Sequence, residues 1–222
     1  MSSTAERIPR ARSFPEVCRG FLRCREARVT ALSLLAIWVA AALWGAAHFL
    51  VPVIVVAGFL LWYLIEIPIH RWILHMPLPR NDFGRRLMQR LHYTHHERPT
   101  DPRYLFLPEW LALPSIGIIL GAAWLVGIPR EGLWFLAGFW TSLTVYEWMH
   151  YAVHSRWRPD WAPVRRAFEN HMRHHFRNEG YWFGVSNPFM DRLWGTAPEM
   201  DEVEQSAFVR NLHGTGGGAD HE

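Results

Sequence analysis

The run VTALSLLAIWVAAALWGAAHFLVPVIVVAGFLLWYLI, residues 29–65, contains no Asp, Glu, Lys or Arg. A helix that crosses the hydrocarbon of a bilayer needs ~20 apolar residues, so this run is almost long enough for two. His48 and Pro52 lie near its middle, where a tight turn is expected. Buried helices of soluble proteins seldom run so long without charge, and a membrane hairpin is the better reading.

A second hairpin follows. Leu111–Ile128 is charge-free, residues 127–132 (GIPREG) supply a turn, and Leu133–Tyr146 returns. That last run is short for a full span, so it must tilt, dip part way, or continue as a helix into the aqueous phase. The expected fold is therefore all-α: a membrane bundle of two transmembrane hairpins, about four membrane helices, with a helical cap outside the bilayer.

Charge orients the bundle. All 23 basic side chains are Arg. If both hairpins enter and leave on one side, Arg130 alone sits in a far-side loop. Seven arginines precede the first hairpin, seven lie between the hairpins, and eight follow the second. Cytoplasmic loops carry the Lys/Arg excess, so the termini and the cap are predicted to face the cytosol, in a bacterial inner membrane or an endoplasmic reticulum. The net charge of +3 is modest and gives no reason to expect nucleic-acid binding. Cys18 and Cys24 lack the paired ligands of a zinc motif and read as inert surface thiols, with a disulfide between them as the alternative.

The domain plan has three parts. Residues 1–28 hold seven arginines and no sustained periodicity, and read as a short cytosolic arm. A cleaved signal would place its apolar run earlier and end it at small residues. Residues 29–212 form a single membrane-embedded domain. The Gly-rich stretch 213–222 is expected to be disordered. Within the domain, Gly84–His96 and Pro163–Phe176 carry helix-forming residues and are predicted as helices of the cap.

The chemistry lies in the histidines. Ten of thirteen fall into four boxes: His70 and His75; His92, His95 and His96; His150 and His154; His171, His174 and His175. Both triplets have the spacing i, i+3, i+4, which puts three imidazoles on one face of a helix. His150 and His154 also share a face. His70 and His75 would diverge by about 140° on an α-helix, so they converge only from an element that wraps the site. Packing ten such rings together without an ion is costly, because buried imidazoles need partners and protonated ones repel. Ten ligands suit two metal ions at four or five nitrogens each, with room for oxygen or water. An all-nitrogen set does not separate zinc from iron by affinity. Zinc would argue for hydrolysis, and iron at a membrane surface for O₂ activation. His48, His213 and His221 read as ordinary histidines.

The order HxxxxH, HxxHH, HxxxH, HxxHH around two hydrophobic hairpins resembles the fatty acid hydroxylase superfamily of integral-membrane di-iron enzymes, and within it the fatty acid 2-hydroxylase branch. The resemblance covers about residues 60–200 and rests further on HRW (70–72), YLFLP (104–108), VYEWMHY (145–151), FGVS (183–186) and DRLWGT (191–196). It implies two iron ions, with zinc able to replace them on purification, and O₂ as co-substrate. It also implies hydroxylation at carbon 2 of a long fatty acyl chain, with a membrane lipid or fatty acyl substrate. Sterol or carotenoid oxidases and desaturases share the metal core and stay open as alternatives. A membrane metal-binding or transport protein would place ligands inside its spans, whereas these flank them.

Two departures stand out. Glu147 replaces an Asp typical of eukaryotic members, and no haem-binding HPGG motif of a fused cytochrome b5 is present. Electrons are therefore expected from a separate cytochrome b5-like or ferredoxin-like donor. Tyr146 and Glu147, one turn before His150, are candidates for binding the substrate head group. Asp191 and Asn187 are candidates for supporting the ligands.

Overall fold

The computed structural model describes residues 7–213, and among them there are helices and no strands. Ten α-helices follow in order: α1 Phe14–Phe21, α2 Arg25–Trp44, α3 Val51–Pro68, α4 Asp82–Met88, α5 Thr94–Glu97, α6 Glu109–Leu125, α7 Pro129–His154, α8 Ala162–Phe176, α9 Pro188–Leu193 and α10 Ala207–His213. Of the stretch 213–222, expected to be disordered, His213 ends α10 and residues 214–222 lie outside the described residues.

The charge-free run 29–65 breaks where a turn was expected, between Gly45 and Leu50, and Pro52 opens α3 as a first-turn proline. Among the described residues, three stretches are long and apolar enough to cross a membrane: Arg25–Trp44, Val51–Leu74 and Pro102–Leu125. The fourth expected membrane helix, α7, is not among them. Leu133–Tyr146 lies within one continuous helix that runs on to His154.

Helix α7 is the axis of the bundle. It packs along α3 most extensively, then α2 and α6. Leu136, Trp140 and Leu143 are buried against Ile37 and Trp62. The outer faces of α2, α3 and α6 leave large apolar side chains exposed, among them Leu35, Val53, Leu60 and Ile118. Such a band fits a hydrocarbon solvent rather than water.

Polar ties within the bundle are few, and among the described residues Trp62 Nε1 and the Ser142 hydroxyl are buried without a hydrogen-bond partner. Trp140 Nε1 donates to the Thr30 carbonyl at 3.2 Å, and Glu147 accepts from the Thr30 hydroxyl and the Leu107 N–H at 3.1 and 2.9 Å. A second core forms beyond the bundle, where Val17 and Phe21 of α1 meet Phe106, Tyr151 and Phe168. Residues before α1 add two backbone ties, Ile8 N–H to Thr100 and Ala11 N–H to Ser155, at 2.8 and 2.9 Å. Cys18 and Cys24 form no disulfide.

Candidate metal centre

The first box sits at an irregularity that the sequence explains. Pro68 has no N–H to bond the Leu64 carbonyl, and α3 widens into a π-turn over Ile69–Leu74. The π-turn closes a bond from the His75 N–H to the His70 carbonyl at 3.1 Å. Positions five apart therefore lie one above the other, and their rings come to 5.1 Å. The divergence expected on an α-helix disappears. A second π-turn, Gln89–Tyr93, carries His92 and passes into α5 with His95 and His96. His150 and His154 end α7, and α8 carries the last triplet.

All ten clustered histidines converge, in two groups of five. His70, His75, His92, His96 and His174 form one; His95, His150, His154, His171 and His175 form the other. Within each group the ligating nitrogens lie within 4.8 Å of one another. Each triplet divides between the groups in a complementary way. The α5 triplet sends its i, i+4 pair, His92 and His96, to the first group and His95 to the second. The α8 triplet sends His171 and His175 to the second and His174 to the first. Adjacent residues on a helix point about 100° apart, so neighbours such as His95–His96 and His174–His175 cannot aim at one point. The groups touch where His96 and His175 stack at 4.3 Å.

The nitrogens fit metal ions better than they fit one another. His92 Nε2 has three Nε2 neighbours, at 2.8 Å (His75), 3.0 Å (His96) and 3.2 Å (His70). One ring nitrogen has one proton or one lone pair, so it cannot bond to three others at once. Two ligands held about 2.1 Å from a common ion at right angles are about 3.0 Å apart, as these pairs are. His95–His150 and His154–His171 repeat the spacing in the second group, at 2.9 and 3.1 Å. Neither ring nitrogen of buried His175 has a hydrogen-bond partner. Burial, and then repulsion from neighbouring imidazoles, holds His92, His95, His96, His171, His174 and His175 well below the usual histidine pKa. They are neutral at pH 7, the form that binds metal.

Nine of the ten are buried and His75 is half-buried. An open cavity of about 370 Å³ reaches it, lined by Arg71, Tyr93, Glu179, Gly180, Phe183 and Phe208.

The candidate supporting residues fall out differently. Tyr146 packs against Trp62 at 4.9 Å and His150 at 5.9 Å, beside the second group. Glu147 has both carboxylate oxygens engaged by Thr30 and Leu107. Asn187 caps α9 by accepting from the Phe189 N–H at 3.2 Å. Asp191 is fully buried and accepts from the N–H groups of Phe183 and Gly184, both at 2.8 Å, and from the Thr196 hydroxyl at 2.7 Å. Burial raises its pKa to about 6 despite those bonds. Glu66 was not singled out by sequence reasoning. It is buried and accepts from the Val185 and Ser186 N–H groups at 2.6 and 2.9 Å, and from the Ser186 hydroxyl. Its signal was available: it is a carboxylate ending a 37-residue charge-free run, four residues before His70 of the first box.

The chain is similar to known proteins. The dihydroceramide fatty acyl 2-hydroxylase FAH2 of Arabidopsis thaliana is 26% identical over 152 residues, 67% of this chain and 62% of that protein. The ceramide very long chain fatty acid hydroxylase SCS7 of Saccharomyces cerevisiae is 31% identical over 146 residues, 63% and 36%. Human fatty acid 2-hydroxylase is 27% identical over 155 residues, 69% and 42%. The matched region thus spans less than two thirds of each of these relatives. A solved structure titled full-length scs7p, with only its hydroxylase domain visible, superimposes with a TM-score of 0.72 at 21% identity, over 81% of this chain and 69% of that one, which establishes the common fold. The fatty acid hydroxylase family model matches residues 55–196, the stretch that holds all ten clustered histidines, and the chain belongs to that family.

Proposed function

We propose that the chain is an O₂-dependent lipid hydroxylase that places one oxygen on carbon 2 of a long fatty acyl chain. The observation that carries this reading is the pair of five-imidazole groups in a member of this family. The first ion would be held by His70, His75, His92, His96 and His174, and the second by His95, His150, His154, His171 and His175. Iron is favoured over zinc because hydroxylation needs electrons, and zinc has no redox chemistry. When bound, the ions supply redox activation of O₂ for attack on a C–H bond. The protein's part is to hold ten imidazoles neutral, aim them at two points, and exclude water around all but His75.

An apolar chain rising from the bilayer meets the centre at the membrane end of the cap, where Tyr146 borders His150. Tyr146 is the residue proposed to position the polar head. Glu147, one residue on, acts from behind it by fixing α7 to α2 and to the start of α6. Electrons come from a separate donor, cytochrome b5-like or ferredoxin-like. Residues 29–212 are the functional unit, and 1–28 are its cytosolic arm.

The chemistry is tested by growing cells under ¹⁸O₂, hydrolysing their lipids and resolving the fatty acids by mass spectrometry. Label at carbon 2 is expected. A new double bond without label would make the protein a desaturase, and label in a ring lipid would make it a sterol or carotenoid oxidase.

The two-hairpin topology, with the termini and the metal centre on the cytosolic side, is also a proposal. It is supported by the placement of every arginine but Arg130 on one side. Reporters fused after Arg28, Arg98 and Ala207 are all expected to give cytosolic signals. A far-side signal from any one refutes the arrangement.

A further inference from the structure

Between α8 and α9 the chain forms a strap, residues 181–186, in which two buried carboxylates hold four of the six backbone N–H groups. Four consecutive N–H groups donate to them: Phe183 and Gly184 to Asp191, at 2.8 Å each, and Val185 and Ser186 to Glu66, at 2.6 and 2.9 Å. Two carbonyls of the strap face histidines. Phe183 O lies 2.6 Å from His70 Nδ1, and Tyr181 O lies 2.8 Å from His174 Nδ1.

The pairing of these bonds matters, because each joins the two ends of one peptide unit. The unit between Phe183 and Gly184 has its N–H on Asp191 and its C=O on His70. The unit between Tyr181 and Trp182 has its N–H on the Thr196 carbonyl at 2.8 Å and its C=O on His174. Thr196 in turn donates its hydroxyl to Asp191. A negative charge at the N–H end polarises a peptide and makes its carbonyl a stronger acceptor. An imidazole whose Nδ1–H is held in this way has its tautomer fixed and its Nε2 made more basic.

The strap is built for this contact. Trp182 is held at φ 54, the left-handed region that non-glycine residues avoid. A side chain on Gly184 would collide with Asp191 and the Asn187 carbonyl, so only glycine lets the carboxylate approach this peptide. His70 and His174 both belong to the first group of five. None of the strap's hydrogen bonds reaches the second group, where His150 is held instead by the Leu105 backbone; Nδ1 of His95, His171 and His175 there, like that of His96 in the first group, has no hydrogen-bond partner among the described residues.

We propose that Asp191, backed by Glu66, is a positioning residue for one metal ion only, so that the two positions are chemically inequivalent and the first, on His70 and His174, is the tighter and more electron-rich. The inference rests on the two-ion reading above but not on the substrate. Metal-free full-length protein in detergent is titrated with Co(II), followed by its visible absorption, and a second sample loaded with ⁵⁷Fe(II) is read by Mössbauer spectroscopy. In Asp191→Asn one of the two Co(II) equivalents is expected to weaken about 10–100-fold while the other is unchanged. Only one of two iron doublets should shift. Glu66→Gln should weaken the same equivalent. Thr196→Val, which loses one hydroxyl, should do so by less, and it carries the test if Asp191→Asn does not fold. Equal weakening of both equivalents, or of neither, overturns the inference. A wild-type protein that binds fewer than two Co(II) ions overturns instead the two-ion reading beneath it.

Discussion

Alanine at His96 or at His175 is expected to lower hydroxylation at least about 100-fold, because each removes a nitrogen from a different ion. His96 stands in the first group of five and His175 in the second, with their rings stacked at 4.3 Å where the groups meet. Loss of either leaves four imidazoles on one side and five on the other. Metal analysis of protein purified in mild detergent should find about two ions per wild-type chain. Each variant should fall toward one, and activity of the wild type should return with iron rather than zinc.

His48→Ala is the control. His48 lies in the turn between α2 and α3, outside both groups, and its ion pair with Glu131 at 3.6 Å is partly exposed and worth at most about 1 kcal/mol. If His175→Ala kept full activity and full metal content, the dimetal centre would be wrongly drawn.

Leucine at Gly138 or Gly58 is expected to break the same centre from a distance. α3 and α7 approach backbone to backbone through these two glycines. A side chain at Gly138 would overlap the Val55 carbonyl, and one at Gly58 the Phe135 carbonyl. In each case the obstacle is main chain and cannot rotate away. Small residues allow such close packing of membrane helices, and there the contact itself drives association. α3 leads into His70 and His75, and α7 ends in His150 and His154, so separating the helices pulls the two groups apart.

A loss of about 3 kcal/mol or more is expected, seen as a lower unfolding temperature in detergent together with loss of bound metal. Gly117→Ala and Gly121→Ala on α6 should be neutral or stabilising by up to about 1 kcal/mol. Nothing lies within 4 Å of a side chain there, and alanine favours helix over glycine. A Gly138→Leu protein as stable and as metal-loaded as wild type would refute the close-packed crossing.

The sequence by itself determined what depends on near neighbours along the chain. A charge-free run of 37 residues with a break near its middle sets two apolar helices. Spacings of three and four put histidines on shared helix faces. The density of imidazoles pointed to metal ions, because ten rings brought together have too few other partners. Those signals hold whatever surrounds the helix, since hydropathy and helical period are local properties.

Tertiary structure decided which histidines stand together in each group of five. The HxxHH spacing shows one face, but a face about 100° wide is broad enough to serve two points. The split of each triplet depends on where the other helix stands. It also decided the π-turns at 69–74 and 89–93, of which Pro68 hinted at the first and nothing in the sequence announced the second. The 181–186 strap was beyond sequence reasoning for the same reason. Glu66 and Val185 are 119 residues apart, and no local pattern encodes a hydrogen bond that exists only once α3 and the segment before α9 have packed together.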